Sequence, residues 1–143
     1  MQLYVVFEEN TATNAIHIVG VADNELSAGD IAAISMSKGR LYRAFSETYS
    51  YTASLDRDCY VVYAKNNWVD TAKGEKEDPK RVFGKMYFPG ERPLASDVKI
   101  YKTEDSATKK AATFADEILD PDYEHKDMVE GTFAKIRVNE AIY

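Results

Sequence analysis

The stretch Cys59-Tyr60-Val61-Val62-Tyr63-Ala64-Lys65 decides how the rest of the chain is read. Valine and tyrosine fit a pleated, half-buried surface better than a helix. The turn Leu55-Asp56-Arg57-Asp58 precedes the segment and the polar run Asn66 to Lys80 follows it. A short β-rich run bounded on both sides by polar residues is a strand. Alternate strand residues point to opposite faces, so Tyr60 with Val62 and Val61 with Tyr63 cannot all enter one core. Some tyrosines of this region are therefore expected to be exposed or half exposed.

Working outward, more strands appear. Gln2 to Glu8 alternates and is rich in β-formers, Asn10 to Asn14 is a polar turn, and Ala15 to Ala22 is a second strand, so the N-terminus predicts a hairpin. From Arg40 to Ala53, Leu41, Arg43, Phe45, Glu47, Tyr49 and Tyr51 alternate with Tyr42, Ala44, Ser46, Thr48 and Ser50, and the Ser/Thr/Tyr content from Ser46 favours a strand. Arg81 to Phe88, Asp97 to Lys102 and Met128 to Val138 complete the set, the last with Thr132, Ala134, Ile136 and Val138 on one face.

Two helices interrupt the strands. Ser27-Ala28-Gly29-Asp30 opens a short one, capped by Ser27 or Asp30, with Ile31, Ile34 and Leu41 on one face and Gly39 as its stop. Asp105 to Leu119 is longer. Ala107, Ala111, Phe114, Ala115 and Ile118 recur at helical spacing, Asp105 or Thr103 caps it, and Pro121 ends it. The sequence contains no repeat, no low-complexity tract and no linker. The expectation is an α+β fold: one domain over 1–143, with a mostly antiparallel sheet, one long helix in the C-terminal half and one short helix.

Composition narrows the functional classes. The 143 residues are enough for a core without staples, and 10 Tyr, 6 Phe and 1 Trp are not the composition of a disordered segment. The formal charge is −6 and the pI about 5.0, which argues against nucleic-acid and anionic-membrane binding and suits a protein that docks on a basic surface, although small domains commonly carry a charge of this size for solubility alone. Cys59 is the single cysteine, so no internal disulfide forms. No apolar run reaches the length of a membrane span, and Met1 to Glu9 lacks the features of a signal peptide, so the chain reads as intracellular.

Motif templates fail one by one. Cys59 acts as a nucleophile only if His17 lies beside it, and nothing local brings them together. Asp120-Pro-Asp122-Tyr-Glu124-His-Lys-Asp127 spaces carboxylates as calcium loops do, but His125 stands where the loop needs glycine and Gly131 where it needs glutamate. There is no phosphate-cradling glycine motif and no Cys/His cluster for zinc. No cofactor is implied, and the residues favour binding over catalysis.

What remains is surface. Lys38-Gly39-Arg40-Leu41-Tyr42-Arg43 and Lys80-Arg81 with Lys85 are basic patches near aromatics, so Arg40, Arg43 and Arg81 are the candidates for a nucleotide phosphate, against alternating charge on a solvated strand face. Tyrosines are enriched at interfaces because they bury much area at little entropic cost, which makes Tyr49, Tyr51 and Tyr63, with Trp68 in the long polar connection, the candidate protein-binding residues. The alternative is tyrosines lining the rim of a sheet.

The segment Asp97-Val-Lys-Ile-Tyr-Lys-Thr-Glu-Asp-Ser-Ala-Thr-Lys-Lys-Ala-Ala112 resembles a strand-then-helix element of small uncharacterised bacteriophage proteins, in which a Tyr-Lys-Thr strand end leads into an Ala/Lys helix and a closing strand. Tyr60 to Trp68 fits the strand that precedes it there. The resemblance spans about the last half of the chain and carries no functional residues. It implies a phage origin and a place in the host cytoplasm or the virion. The expected function is a non-enzymatic protein-interaction module that modulates a host enzyme or defence complex. A head or tail accessory protein and a small nucleotide-binding or hydrolytic protein are the alternatives. A protein partner is expected, and self-association is left open.

Overall fold

In a computed structural model describing residues 2–68 and 82–142, the chain builds the same topology twice. The first half runs β1 (Gln2–Asn10), β2 (Ala15–Ala22), α1 (Glu25–Met36) and β3 (Tyr42–Ser50). Its sheet has the order β2-β1-β3, with both pairings antiparallel. The second half runs β4 (Asp58–Asn66), β5 (Met86–Tyr87), β6 (Lys99–Tyr101), α2 (Glu104–Ile118) and β7 (Val129–Arg137). β7 pairs with β4 along its whole length, so β5 and β6 share the opposite edge, beside Ala64–Lys65 and Tyr60–Val62. In each half the first strand is central, a hairpin partner lies on one side, and a helix returns the chain to the other side. The sequence carries no repeat; the duplication is one of topology.

The two sheets face each other. Odd residues of the central strands, Leu3, Val5 and Phe7 on β1 and Cys59, Val61 and Tyr63 on β4, meet in one core with Ile16, Ile18, Ile100 and Ile136. Even residues face outward and are covered by helices. Val6 and Val19 receive Ala28 and Ile31 of α1, while Val62 and Ala64 receive Ala107 and Phe114 of α2. The layers are therefore helix, sheet, sheet, helix, the α+β fold expected, with two antiparallel sheets in place of one. Gly131 lets α2 cross β7 closely, because a Cβ there would overlap the carbonyl oxygen of Ala111.

The tyrosines divide as the alternation requires: Tyr63 enters the inter-sheet core, whereas Tyr60 is half-buried against the core under α2 and Tyr42, Tyr49 and Tyr51 are half-buried. Tyr63 is buried, packs edge-on against Phe83 at 4.8 Å and donates its hydroxyl to the Val82 carbonyl at 3.0 Å.

Element bounds shift for local reasons. α1 starts before Ser27 because Asn24 is its cap, its side-chain oxygen accepting the Ser27 N–H at 2.8 Å. Ile31 is buried, whereas Ile34 is exposed and Leu41 lies beyond the helix, so these three do not share a face. α2 takes Thr103 rather than Asp105 as its cap. The strand expected over 81–88 reduces to β5, because a turn over 82–85 drives Phe83 into the core; Arg81 and the run 69–80 lie outside the described residues. β6 starts at Lys99 because Asp97 closes a 3-10 turn, its carboxylate accepting the Leu94 N–H at 2.7 Å.

Candidate functional site: an aromatic corner beside β4

The end of β4 carries Asn66, Asn67 and Trp68, and each is tied down. The Asn66 side chain donates to the Tyr123 hydroxyl at 2.7 Å and accepts the Trp68 N–H at 3.0 Å. The Asn67 N–H donates to the Met128 carbonyl at 2.8 Å. These bonds set the Trp68 indole on the His125 ring, stacked with centroids 3.8 Å apart and planes 14° apart.

The opposite wall comes from the segment after α2. Pro121 cannot continue the helix, and Asp120 turns the chain by accepting the Asp122 N–H on its carboxylate and the Tyr123 N–H on its carbonyl, each at 3.0 Å. Tyr123 then stands edge-on to Tyr87 at 5.0 Å and to His125 at 5.9 Å. The Tyr87 hydroxyl accepts the Asp120 N–H at 3.0 Å, which fixes the carboxylate beside the rings.

Beside Asn66 and Tyr123 lies a cavity of about 300 Å³, lined among the described residues by Asn66, Met86, Tyr87, Phe88, Pro89, Asp120 and Tyr123. Among the described residues, its lining includes Asp120 and the aromatic residues Tyr87, Phe88 and Tyr123, and no lysine or arginine. The chain after Asp120 continues with the exposed Asp122, Glu124, Lys126 and Asp127. Trp68 is 44% exposed and Met128 41%, so both leave apolar surface to solvent. Ring faces carry partial negative charge, and with Asp120 they make a site for a cation.

The residues singled out from sequence do not converge. Trp68 lies at the corner. Tyr49 is half-buried on β3, and its hydroxyl accepts the Ile100 N–H at 3.1 Å, tying the two sheets together. Tyr51 is half-buried against the inter-sheet core. Burial pushes the phenols of Tyr49, Tyr51 and Tyr63 up. Arg40 and Arg43 are exposed near the start of β3, on the other sheet, and Arg81 lies outside the described residues. The corner residues Tyr87, Asp120, Tyr123 and His125 were not singled out as binding residues. Their signal was the acidic Asp120–Asp127 segment with its interleaved Tyr123 and His125, which fails only as a calcium loop.

Two other chemical groups have structural roles. Cys59 is fully buried, and burial first and the neighbouring Asp58 second push its thiol up to about 12. His17 is turned toward α1 and lies 3.5 Å from Glu8, so it does not meet Cys59 on the inter-sheet side. Glu8 is fully buried, and its carboxylate takes the Lys38 ammonium at 2.8 Å and a hydrogen bond from Ser35. Burial raises the Glu8 carboxyl, but the hydrogen bonds from Lys38 and Ser35, with the charges of Lys38 and His17, outweigh it and hold the carboxyl below its ordinary value. The group fastens the end of α1 to its sheet. Among the described residues, no group of three or more His, Cys, Asp or Glu side chains is placed to hold a metal ion, and no helix is long and apolar enough to cross a membrane. No protein-family model matches the chain, and no curated protein or solved structure matches it either.

Proposed function

We propose that this chain is a non-enzymatic protein-interaction module that takes a basic segment of a partner protein at the corner formed by Trp68, Tyr87, Asp120, Tyr123 and His125. One observation carries the reading: the described residues lining the cavity bring the rings of Tyr87, Phe88 and Tyr123 together with Asp120. A lysine or arginine side chain entering it meets a counter-ion at Asp120 and the half-buried ring of Tyr123, a cation–π contact contributing about 0.5 to 2 kcal/mol. The net charge of −6 and the acidic stretch after Asp120 favour encounter with a basic partner. Among the described residues the lining includes no arginine for a phosphate, which favours this reading over a nucleotide site. The phage-like element at the C-terminal end suggests a host protein as the partner.

Trp68 is the only tryptophan, so its emission reports on the corner directly. Titration with short lysine- and arginine-containing peptides should change the Trp68 emission saturably, and the effect should weaken as salt is added. Asp120→Asn keeps the acceptor for the Asp122 N–H and removes the charge, so binding should fall about tenfold or more while the melting temperature holds. Equal responses to basic and acidic peptides, or none to either, would overturn the proposal.

A further inference from the structure

We infer that the open edge of β3 is the interface of a symmetric dimer, in which β3 pairs antiparallel with β3 of a second copy about a two-fold axis at Phe45. The edges of the two sheets are not finished alike. The tail after β7 covers β2, where the Asn139 N–H meets the Val21 carbonyl and the Ile142 N–H the Val19 carbonyl, each at 2.8 Å. β5 and β6 have two and three residues, and very short edge strands are poor templates. β7 carries the exposed Lys135 and Arg137, and lysine is a common guard of an edge. β3 has none of these devices. It runs nine residues, Tyr42–Ser50, with no proline, glycine or lysine, and it pairs with β1 without a bulge.

The ladder shows which backbone groups face outward. The Leu41 carbonyl accepts the Thr11 N–H at 2.7 Å, so the odd residues of β3 turn their backbone groups toward β1. The even residues turn theirs away from it. The Tyr42 N–H is taken by the Gly39 carbonyl at 3.1 Å. The N–H and C=O groups of Ala44, Ser46 and Thr48 meet no partner among the described residues. A row of this kind accepts another strand.

Charge identifies that strand as another copy and sets its register. Arg43 and Glu47 lie on one face of β3, and neither takes part in an ion pair among the described residues. Glu9, which stands opposite Arg43 on β1, is turned to Arg92 at 3.7 Å. With the axis at Phe45, Arg43 of each copy faces Glu47 of the other, so two ion pairs form at once. Ala44 then faces Ser46 and exchanges both backbone hydrogen bonds with it. Moving the axis to Ala44 or Ser46 breaks both ion pairs. Moving it to Arg43 or Glu47 sets like charges against each other. The pairing consumes both edges, so assembly closes at two copies. One nine-residue strand per copy gives an interface at the small end of the range and hence a weak, concentration-dependent dimer.

Sedimentation velocity on the full chain over about 5 to 200 µM should take the unaltered protein from monomer to dimer. Ser46→Pro removes an N–H that β1 does not use, so it should stay monomeric at every concentration with its melting temperature nearly unchanged. Arg43→Glu should weaken the dimer about tenfold, since it turns both ion pairs into repulsions. Arg43→Glu combined with Glu47→Arg should restore it, because opposite charges face each other again. Register has its own readout. Positions 43 and 47 lie about 13 Å apart within one strand, too far for an internal disulfide. Arg43→Cys combined with Glu47→Cys should therefore give covalent dimers on oxidation, and neither substitution alone should. A monomer throughout would overturn the inference. So would association untouched by Ser46→Pro, a charge exchange that fails to restore it, or a doubly substituted cysteine variant that stays monomeric under oxidation.

Discussion

Asn139 and Asp23 exchange two hydrogen bonds across the whole length of the chain. The Asn139 side chain accepts the Asp23 backbone N–H at 2.9 Å and returns its amide to the Asp23 carboxylate at 3.0 Å. Asn139 sits at φ 68, in the left-handed region that asparagine tolerates better than most residues. Its own N–H reaches the Val21 carbonyl at 2.8 Å, and Ile142 N–H reaches Val19 at 2.8 Å. The tail after β7 therefore leaves its own sheet and fastens onto β2 of the other.

Two substitutions separate what Asn139 contributes. Asn139→Gly keeps the left-handed backbone and loses the two side-chain bonds, for a destabilisation of about 1 kcal/mol. Asn139→Leu loses both the bonds and the backbone tolerance, for about 2 to 3 kcal/mol. Urea unfolding should rank the native chain above Asn139→Gly and Asn139→Gly above Asn139→Leu. Equal effects of the two substitutions would mean that the turn conformation contributes nothing.

Glu8 makes stability depend on acid. Its folded carboxyl titrates below the ordinary 4.5, so the stabilisation is fully present above about pH 4.5 and is lost as pH falls through the lower folded value. Glu8→Gln removes the charge that Lys38 faces. The side chain of Lys38 is 27% exposed, so the loss should be about 2 kcal/mol, below that of a fully buried pair. Melting curves of both proteins from pH 7 to pH 3 should converge at the acid end. A gap that stays constant over that range would remove Glu8 as the titrating group.

Cys59 should be chemically silent in the folded protein. With its thiol pushed up to about 12 and no exposed surface, it presents neither thiolate nor access at neutral pH. A thiol-reactive disulfide reagent at pH 8 should label the chain only after denaturant unfolds it. Rapid labelling of the native state would place Cys59 at the surface and contradict its position between the sheets.

The fold was legible wherever burial leaves a pattern on consecutive residues. β4 reads as a strand because its valines and tyrosines stand together, and α2 reads as a helix because Ala107, Ala111 and Phe114 mark one face. What lay outside any local pattern is which surfaces cover those elements. Tyr63 looked like a surplus aromatic because the number of layers over β4 is a property of the whole chain, not of the strand. The Asn24 cap was within reach, three residues ahead of Ser27, but Ser27 and Asp30 are equally good capping types in sequence. The corner was not legible, because Asn66, Tyr87, Asp120 and Tyr123 come from three separated segments that only the pairing of β4 with β5 and β7 brings together. The apolar outer side of α1 is the reverse case. Leu26, Ala33, Ile34 and Met36 are plain in the sequence, and only the position of the sheet shows that they point away from it.

Asn66 links the fold to the corner and gives the most direct test of that geometry. Its amide donates to the Tyr123 hydroxyl while its carbonyl oxygen accepts the Trp68 N–H, so one side chain sets the spacing between the two aromatic walls. Asn66→Ala removes both bonds and leaves β4 and its pairing with β7 in place. The fold should lose about 1 to 2 kcal/mol, the ordinary worth of two partly exposed hydrogen bonds. The larger effect should be local. Trp68 should separate from His125, its emission should shift to the red, and acrylamide should quench it more strongly. If the walls define the site, basic-peptide binding should fall together with the ordering of Trp68. Asn66→Asp should recover the acceptor for the Trp68 N–H but not the donor to Tyr123, and should give an intermediate quenching constant. Quenching unchanged in Asn66→Ala would show that Trp68 is held by its stack on His125 alone, and that the corner keeps its shape without the asparagine.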